Sequence, residues 1–481
     1  MTTRRLSTSF TTCFSESELH EIEVEVMVKS GLPRFDIIGL PQHMIREGRD
    51  RILAALGHLG IELPSQKILV SLNPGSLPKE GSHFDLPILY GILKSLGILP
   101  QRDEKIFSWG ELSLDGRVRS LPFGASHWLF AANLNARYLL SANSNDEMNS
   151  LRPFLRSALV QLRSVSDILE IEKNPPSAPS RAQDQVIDQR VQELWLKEEC
   201  PEWDRLRGCE EQFLIWILSS LGRLHSLIQG PPGAGKSTWA YASKNLQRPL
   251  PRRDWSLSWE MNKGGDALTF ARRPFIAPHH TASRVSIIGG GSGTILPGAL
   301  SRAHRGCLFL DEFAEFSRDI LESLREPLEQ KTISIARGSL QKTLACDTQI
   351  IGALNPCRCG GKGASQGCNC LPRVDQAYQT RISIPLRERF HLKFWWKFVD
   401  QDPPIYCRAQ NIKQRFLEID RAENPDLSGI QIPRFQSPRT QQRFLETFVT
   451  WCRFHGVSKT SNTDLEKFKQ LMEFLPEEKM R

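Results

Sequence analysis

The sequence predicts an α/β fold in which a parallel sheet carries a nucleotide at the carboxyl ends of its strands. Three observations lead there. Leu227-Ile228 runs into Gly230-Pro231-Pro232-Gly233-Ala234-Gly235-Lys236-Ser237-Thr238, which has the spacing G-x-x-x-x-G-K-[ST] of a phosphate-binding loop. The apolar run Cys307-Leu308-Phe309-Leu310 then ends in Asp311-Glu312. A third strand candidate, Thr348 to Leu354, ends in Asn355.

The residue types suit the chemistry. Glycines at 230, 233 and 235 let backbone N–H groups turn inward around phosphate oxygens. The helix after the loop points the positive end of its dipole at the same oxygens. Lys236 reaches the β- and γ-phosphates, and Ser237 offers a hydroxyl to Mg²⁺. Asp311 holds the same cation through its water shell. Glu312 orients and deprotonates the attacking water. An Asn at a strand end reads equally as a cap or turn. Behind the two preceding motifs, Asn355 reads as the amide that senses the γ-phosphate.

At 481 residues the chain is too long for one core, and two to four domains are expected. Hydrophobic content of 40% and charged content of 24% are those of a globular protein. No apolar run reaches membrane-span length, and the opening MTTRRLSTSFTT has no apolar h-region, so a cytoplasmic location is expected. The net charge of +8 is compatible with a polyanion partner without demanding one.

Along the chain, Ile22 to Val28 alternates apolar and polar as a half-buried strand does. Phe35–Leu40 and Lys67–Leu72 are further strand candidates. Met44–Leu59, with Ile45, Ile52, Leu53, Leu56 and Leu59 on one face, and Asp85–Leu99 are helix candidates. Asp115-Gly116 between short apolar runs signals a hairpin. Residues 1–170 therefore read as a mixed α+β domain. Residues 171–200, Pro/Ser/Gln-rich at first, read as a linker. The ATPase core is expected over 201–400, opening with a helix near Gln212–Leu221. Helices expected over Gln441–Phe454 and Thr463–Phe474 fill 401–481.

Several segments resemble the YifB/ComM family of magnesium-chelatase-like AAA+ ATPases. They are SGLPRFDIIGLP, KILVSLNPGSLPKEGSHFDLPI, GELSLDGRVRSL and the stretch from Arg273 through Asp311-Glu312 to Gln330. The resemblance implies an AAA+ core with a helical lid, preceded by a Lon-protease-like (ribosomal protein S5-like) domain. It implies ATP and Mg²⁺ as ligands and assembly as a homo-hexameric ring. Ser383-Ile384-Pro385-Leu386-Arg387-Glu388-Arg389 matches the family segment whose arginine reaches a neighbour's γ-phosphate, so Arg389 takes that role, with Arg387 a nearby competitor. Arg439 matches the lid arginine called sensor 2. In the Lon-type site a Ser and a Lys form the catalytic pair. Here His83 falls at the serine position, with Ser82 one residue early. The helix from Gly124 lacks the lysine, so a non-proteolytic domain is expected.

Cys357-x-Cys359 and Cys368-x-Cys370 bracket the glycine-rich GGKGASQG. Four thiolates suit tetrahedral Zn²⁺. Disulfides and an iron–sulfur site are the alternatives. His279-His280 reads as a substrate-facing or hydrogen-bonding pair rather than a shared metal site. Gly289-Gly290-Gly291-Ser292-Gly293 is either a substrate-contact loop or a plain surface loop. In Phe390 to Phe398, apolar residues alternate with basic and aromatic ones, as in a core strand with one solvated face or in a base-stacking face. The functional expectation is an ATP-driven ring acting on DNA. A chelatase-like or protein-remodelling motor is the alternative, and an ATP-dependent protease a weaker one.

Overall fold

The computed structural model describes residues 5–473 except 16–17, 63–65, 121–123, 143–148, 150, 156, 177–182, 263–269, 292–294, 338–339, 363–366, 421–423, 429, 432 and 434–437. The chain divides into two compact units. One is Met1–Val191 with Pro251–Ala271, the other Gln192–Leu250 with Arg272–Arg481.

The first unit is built on a seven-stranded sheet. Its strands are β1 (Arg5–Ser15), β2 (Glu18–Ser30), β3 (Arg34–Ile38), β4 (Gln66–Asn73), β5 (Ile106–Trp109), β6 (Tyr138–Ser141) and β7 (Ala158–Gln161). Their order is β3-β4-β2-β1-β5-β6-β7, with β2 antiparallel to both β1 and β4 and the other pairs parallel. The alternation seen from Ile22 is real: Ile22, Val24 and Val26 are buried. Helix α1 (Gln42–His58) buries Ile52 and Leu56 but leaves Leu53 41% exposed, outside the expected apolar face. Helix α2 (Asp85–Ser95) is buried along its whole length, and Ser7 and Ser9 donate to its Gly91 and Pro87 carbonyls at 2.6 and 2.7 Å. The expected hairpin is present as Glu111–Leu112 paired with Val118–Arg119.

Two stretches depart from the expected ranges. The supposed linker holds helix α3 (Gln183–Lys197), whose Ile187, Val191 and Trp195 are buried. Its apolar positions are too sparse among Gln and Asp for the sequence pattern to show. Pro251–Ala271, expected inside the ATPase core, belongs to the first unit. It carries helix α4 (Trp255–Asn262), and Phe270 packs on Phe154 and Trp255 with ring centroids 5.1 and 4.7 Å apart.

The second unit holds a five-stranded, all-parallel sheet. Its strands are β8 (Ser226–Gln229), β9 (Phe275–Ile276), β10 (Cys307–Leu310), β11 (Gln349–Leu354) and β12 (Leu392–Trp395), in the order β9-β10-β11-β8-β12. Every residue of β8, β10 and β11 is buried, as expected of parallel strands covered on both faces. Leu392, Phe394 and Trp396 are buried, so the aromatic alternation there is a core strand. Helices Ala409–Asp420, Pro438–His455 and Asn462–Glu473 are the last described elements, and Phe448, Cys452 and Phe468 join the same core as β8 and β12. Among the described residues no helix is long and apolar enough to cross a membrane.

Candidate nucleotide site

The loop after β8 lies at the carboxyl end of that strand, which is flanked by β11 and β12. Such a crevice at strand carboxyl ends is where open α/β sheets bind ligands. Gly230 is required by packing. Its N–H donates to Leu354 O at 3.2 Å, and a Cβ on it would lie 2.1 Å from the Trp396 carbonyl oxygen. Gly233 and Gly235 are required by conformation, with φ of +76° and +87°. The Trp396 indole N–H donates to Ala234 O at 3.1 Å and supports the loop from below. The seven-residue helix Lys236–Ala242 follows directly, with Thr238 in its first turn.

Five of the expected residues meet here. Lys236 Nζ donates to Gly230 O at 2.7 Å, Pro231 O at 2.9 Å and Asn355 Oδ1 at 3.3 Å. Burial pushes its ammonium below the usual lysine pKa, and Asp311 opposes that. Ser237 Oγ donates to Asp311 Oδ2 at 2.6 Å. The two groups assigned to Mg²⁺ thus converge on one point, which fits a shared cation. Glu312 follows in the left-handed region, φ +50°, a conformation costing a non-glycine residue about 1–2 kcal/mol.

The sequence reading gave His280 no assigned role in this cluster. Its Nδ1 lies 2.7 Å from Glu312 Oε2, and its ring stacks on His279 with centroids 4.2 Å apart. His279 in turn bonds Thr281 Oγ1 at 2.8 Å. The two imidazoles lie against each other but bond different partners, Glu312 and Thr281. The signal was the position of the pair just beyond β9, the strand beside β10 and three positions from β8. It could be read only once the strand order was known.

The two arginines lie elsewhere. Arg389 is 4% exposed; its Nε donates to Arg325 O at 3.1 Å, its Nη1 to Pro385 O at 2.5 Å, and its Nη2 pairs with Glu329 at 3.0 Å. Arg439 Nε pairs with the same carboxylate at 2.7 Å. Among the described residues neither is hydrogen-bonded to the phosphate-binding loop. Arg387 donates to Gln379 O at 2.5 Å. In the glycine-rich insert, Gly289 and Gly290 pair with Leu296-Pro297 as a short hairpin, while Ser292 and Gly293 lie outside the described residues.

The four cysteines do come together. Sγ atoms of Cys357–Cys359, Cys359–Cys368 and Cys357–Cys368 are 3.4, 3.7 and 3.5 Å apart, and Cys370 completes a group within 4.8 Å. Zn–S bonds of about 2.3 Å in a tetrahedron place sulfurs about 3.8 Å apart. A disulfide would need about 2.05 Å, and all eleven cysteines are free. The donor set fits zinc.

In the first unit, Ser82 Oγ donates to Glu111 Oε2 at 2.5 Å. Lys79 Nζ is committed to the Pro74 and Leu77 carbonyls at 2.5 and 3.2 Å. Among the described residues no lysine is hydrogen-bonded to Ser82.

Fold and site together define a P-loop nucleotide-binding protein of the α/β class. Two family models match: "Magnesium chelatase, subunit ChlI" over residues 203–402 and "Subunit ChlI of Mg-chelatase" over 24–145. The uncharacterized protein YifB of Escherichia coli is 32% identical over 381 residues, covering 77% of this chain and 72% of its own. Competence protein ComM of Haemophilus influenzae is 30% identical over 479 residues, 94% and 92% of the two chains. A probable DNA helicase MCM9 of rice is 28% identical over 172 residues, 36% of this chain and 21% of its own. The chain belongs to the YifB/ComM family of magnesium-chelatase-like AAA+ ATPases.

Proposed function

We propose that this protein hydrolyses ATP and couples the cycle to movement along DNA as a homo-hexameric ring. The observation that carries the hydrolytic part is the convergence of Lys236, Ser237, Asp311, Glu312 and Asn355 at the ends of three adjacent parallel strands. Bound Mg²⁺ would supply charge neutralisation at the phosphates, held by Ser237 and Asp311. Lys236 exchanges its loop carbonyls for phosphate oxygens. Asn355, already within bonding distance of Lys236, hydrogen-bonds the γ-phosphate or the attacking water. Glu312 takes the water proton once it leaves His280.

DNA is favoured as the partner by the likeness to a competence protein and, over a shorter stretch, to a probable helicase. The net charge of +8 suits it. The chelatase match favours a protein-remodelling motor as the second reading. The arrest of Ser82 on Glu111 speaks against a Lon-type protease. Arg389 and Arg439 keep their roles as completing groups from a neighbour and a lid, with release from Glu329 as the condition. The thiolates of Cys357, Cys359, Cys368 and Cys370 are read as a structural zinc site.

ATPase rate with and without forked DNA across a salt series tests the reading. Stimulation that falls steeply with salt supports it. An ATPase indifferent to DNA but raised by a co-purifying protein refutes translocation on DNA.

A further inference from the structure

We infer that the four-thiolate knuckle braces the phosphate-binding loop, so that its metal occupancy sets the affinity for nucleotide. The inference rests on the zinc reading above and adds a consequence for the ATP site.

Two links join the knuckle to the loop. One runs along the chain. Asn355, which accepts a hydrogen bond from Lys236, is two residues from the fully buried Cys357. The intervening Pro356 carbonyl accepts from Gln229 at 3.4 Å and from Gln379 at 2.6 Å, so the end of β8 and the end of β11 share one anchor. The other link is a direct contact. Gly360, with φ of +75°, passes so close to Pro232 that a Cβ on it would lie 2.5 Å from the proline Cγ. Pro232 is a loop residue.

Among the described residues one side-chain tether outside the thiols holds the knuckle, Lys362 Nζ to Asp375 Oδ2 at 3.0 Å. Cys359 and Cys368 are exposed, so no apolar core holds the two Cys-x-Cys arms together. The arms approach until a Cβ on Gly361 would lie 2.0 Å from Gly367 O. Backbone N–H groups of Gly361, Lys362 and Cys370 point at Cys359, Cys357 and Cys368 sulfurs at 3.5, 3.4 and 3.5 Å. Donors aimed at sulfur stabilise thiolates that a metal ligates. Without the ion nothing bridges the four sulfurs, and the two arms are free to separate. Gly360 then leaves Pro232, and the loop samples shapes that do not cradle phosphate. If a tenth of the metal-free molecules keep the competent shape, apparent affinity falls about tenfold.

The test uses the full chain. Zinc per chain is measured by chelator-chromophore release, and affinity by fluorescence of N-methylanthraniloyl-ATP, in zinc-loaded, stripped and zinc-restored protein. One zinc per chain is expected, with affinity about tenfold weaker after stripping and recovered on zinc addition. Gly360→Ala keeps all four thiols but crowds Pro232; it is expected to retain zinc and still lose several-fold in affinity. Absence of stoichiometric zinc sinks the metal reading itself. One zinc per chain with affinity unchanged within twofold on stripping, or wild-type affinity in zinc-loaded Gly360→Ala, overturns the brace and leaves the metal site standing. Circular dichroism of the stripped protein separates loss of the knuckle from loss of the fold.

Discussion

The sharpest test of the nucleotide site is Gly230→Ala. A Cβ there would meet the Trp396 carbonyl oxygen at 2.1 Å and its carbon at 3.0 Å. An unstrained C···O contact is about 3.3 Å, so the two backbones must part by roughly 1 Å. Neither is free to do so. Gly230 N is bonded to Leu354 O at 3.2 Å, and Trp396 N to Gln229 O at 2.6 Å. The Trp396 ring is itself buried beneath the loop. Overpacking of this kind costs about 1–3 kcal/mol, and two pinned backbones place this case near 3. That lowers the melting temperature by roughly 6–12 °C in a unit of this size. Gly233→Ala is the comparator. Its Cβ meets nothing within 4 Å, so it bears only the left-handed φ of +76°, about 1–2 kcal/mol. Calorimetry of the two full-length variants, with nucleotide binding alongside, reads the difference. If Gly230→Ala melts within about 2 °C of the parent, or above Gly233→Ala, the close approach of loop and β12 is not a feature of the protein.

Glu312→Gln is expected to bind ATP normally and to lower turnover about 10²–10⁴-fold; unchanged turnover refutes its role as base. His280→Ala removes the 2.7 Å partner of Glu312 and is expected to shift kcat about tenfold with the nucleotide Kd unchanged. His280→Asn should restore most of it, and a shift in Kd alone would show that His280 acts on binding. In the first unit, burial pushes His83 down to about 4 and His127 down to about 3. The unfolded chain binds these protons from about pH 6.5, so stability is full above that value, falls progressively as pH drops below it, and the loss is complete only below the folded values of about 4 and 3. Each histidine contributes at most about 3–5 kcal/mol to that loss. Urea midpoints of the full chain at pH 7 and 4.5 measure it, and His83→Leu must narrow the gap.

Local pattern made the loop, its two companion strands and the cysteine cluster legible, because each is a short contiguous signal with one chemical use. What the pattern left out is non-local. His280 became a neighbour of Glu312 only through the placing of β9 beside β10, a pairing of two residues per strand that carries no periodicity. Strand β1, polar and Thr/Ser-rich, gave no apolar signal, yet its Ser7 and Ser9 hydroxyls bond the Gly91 and Pro87 carbonyls of α2. Trp255 and Phe270 lie in sequence between the loop and β9, and only packing, Trp255 on Phe270 and Phe270 on Phe154, assigns them to the other unit.

Arg389 shows the limit most clearly. A motif match gives an arginine at a position, not the company it keeps. Here its three donor nitrogens are all satisfied within the chain, and Glu329 is shared with Arg439. Moving Arg389 alone into a neighbour's site would strand Glu329 on one partner and leave the Arg325 and Pro385 carbonyls unpaired. Moving both arginines strands the carboxylate altogether. The two are therefore coupled through Glu329, and a double-mutant cycle of Arg389→Ala and Arg439→Ala on ATPase rate should be non-additive by about 0.5–3 kcal/mol. Strict additivity would mean that the shared carboxylate does not link them.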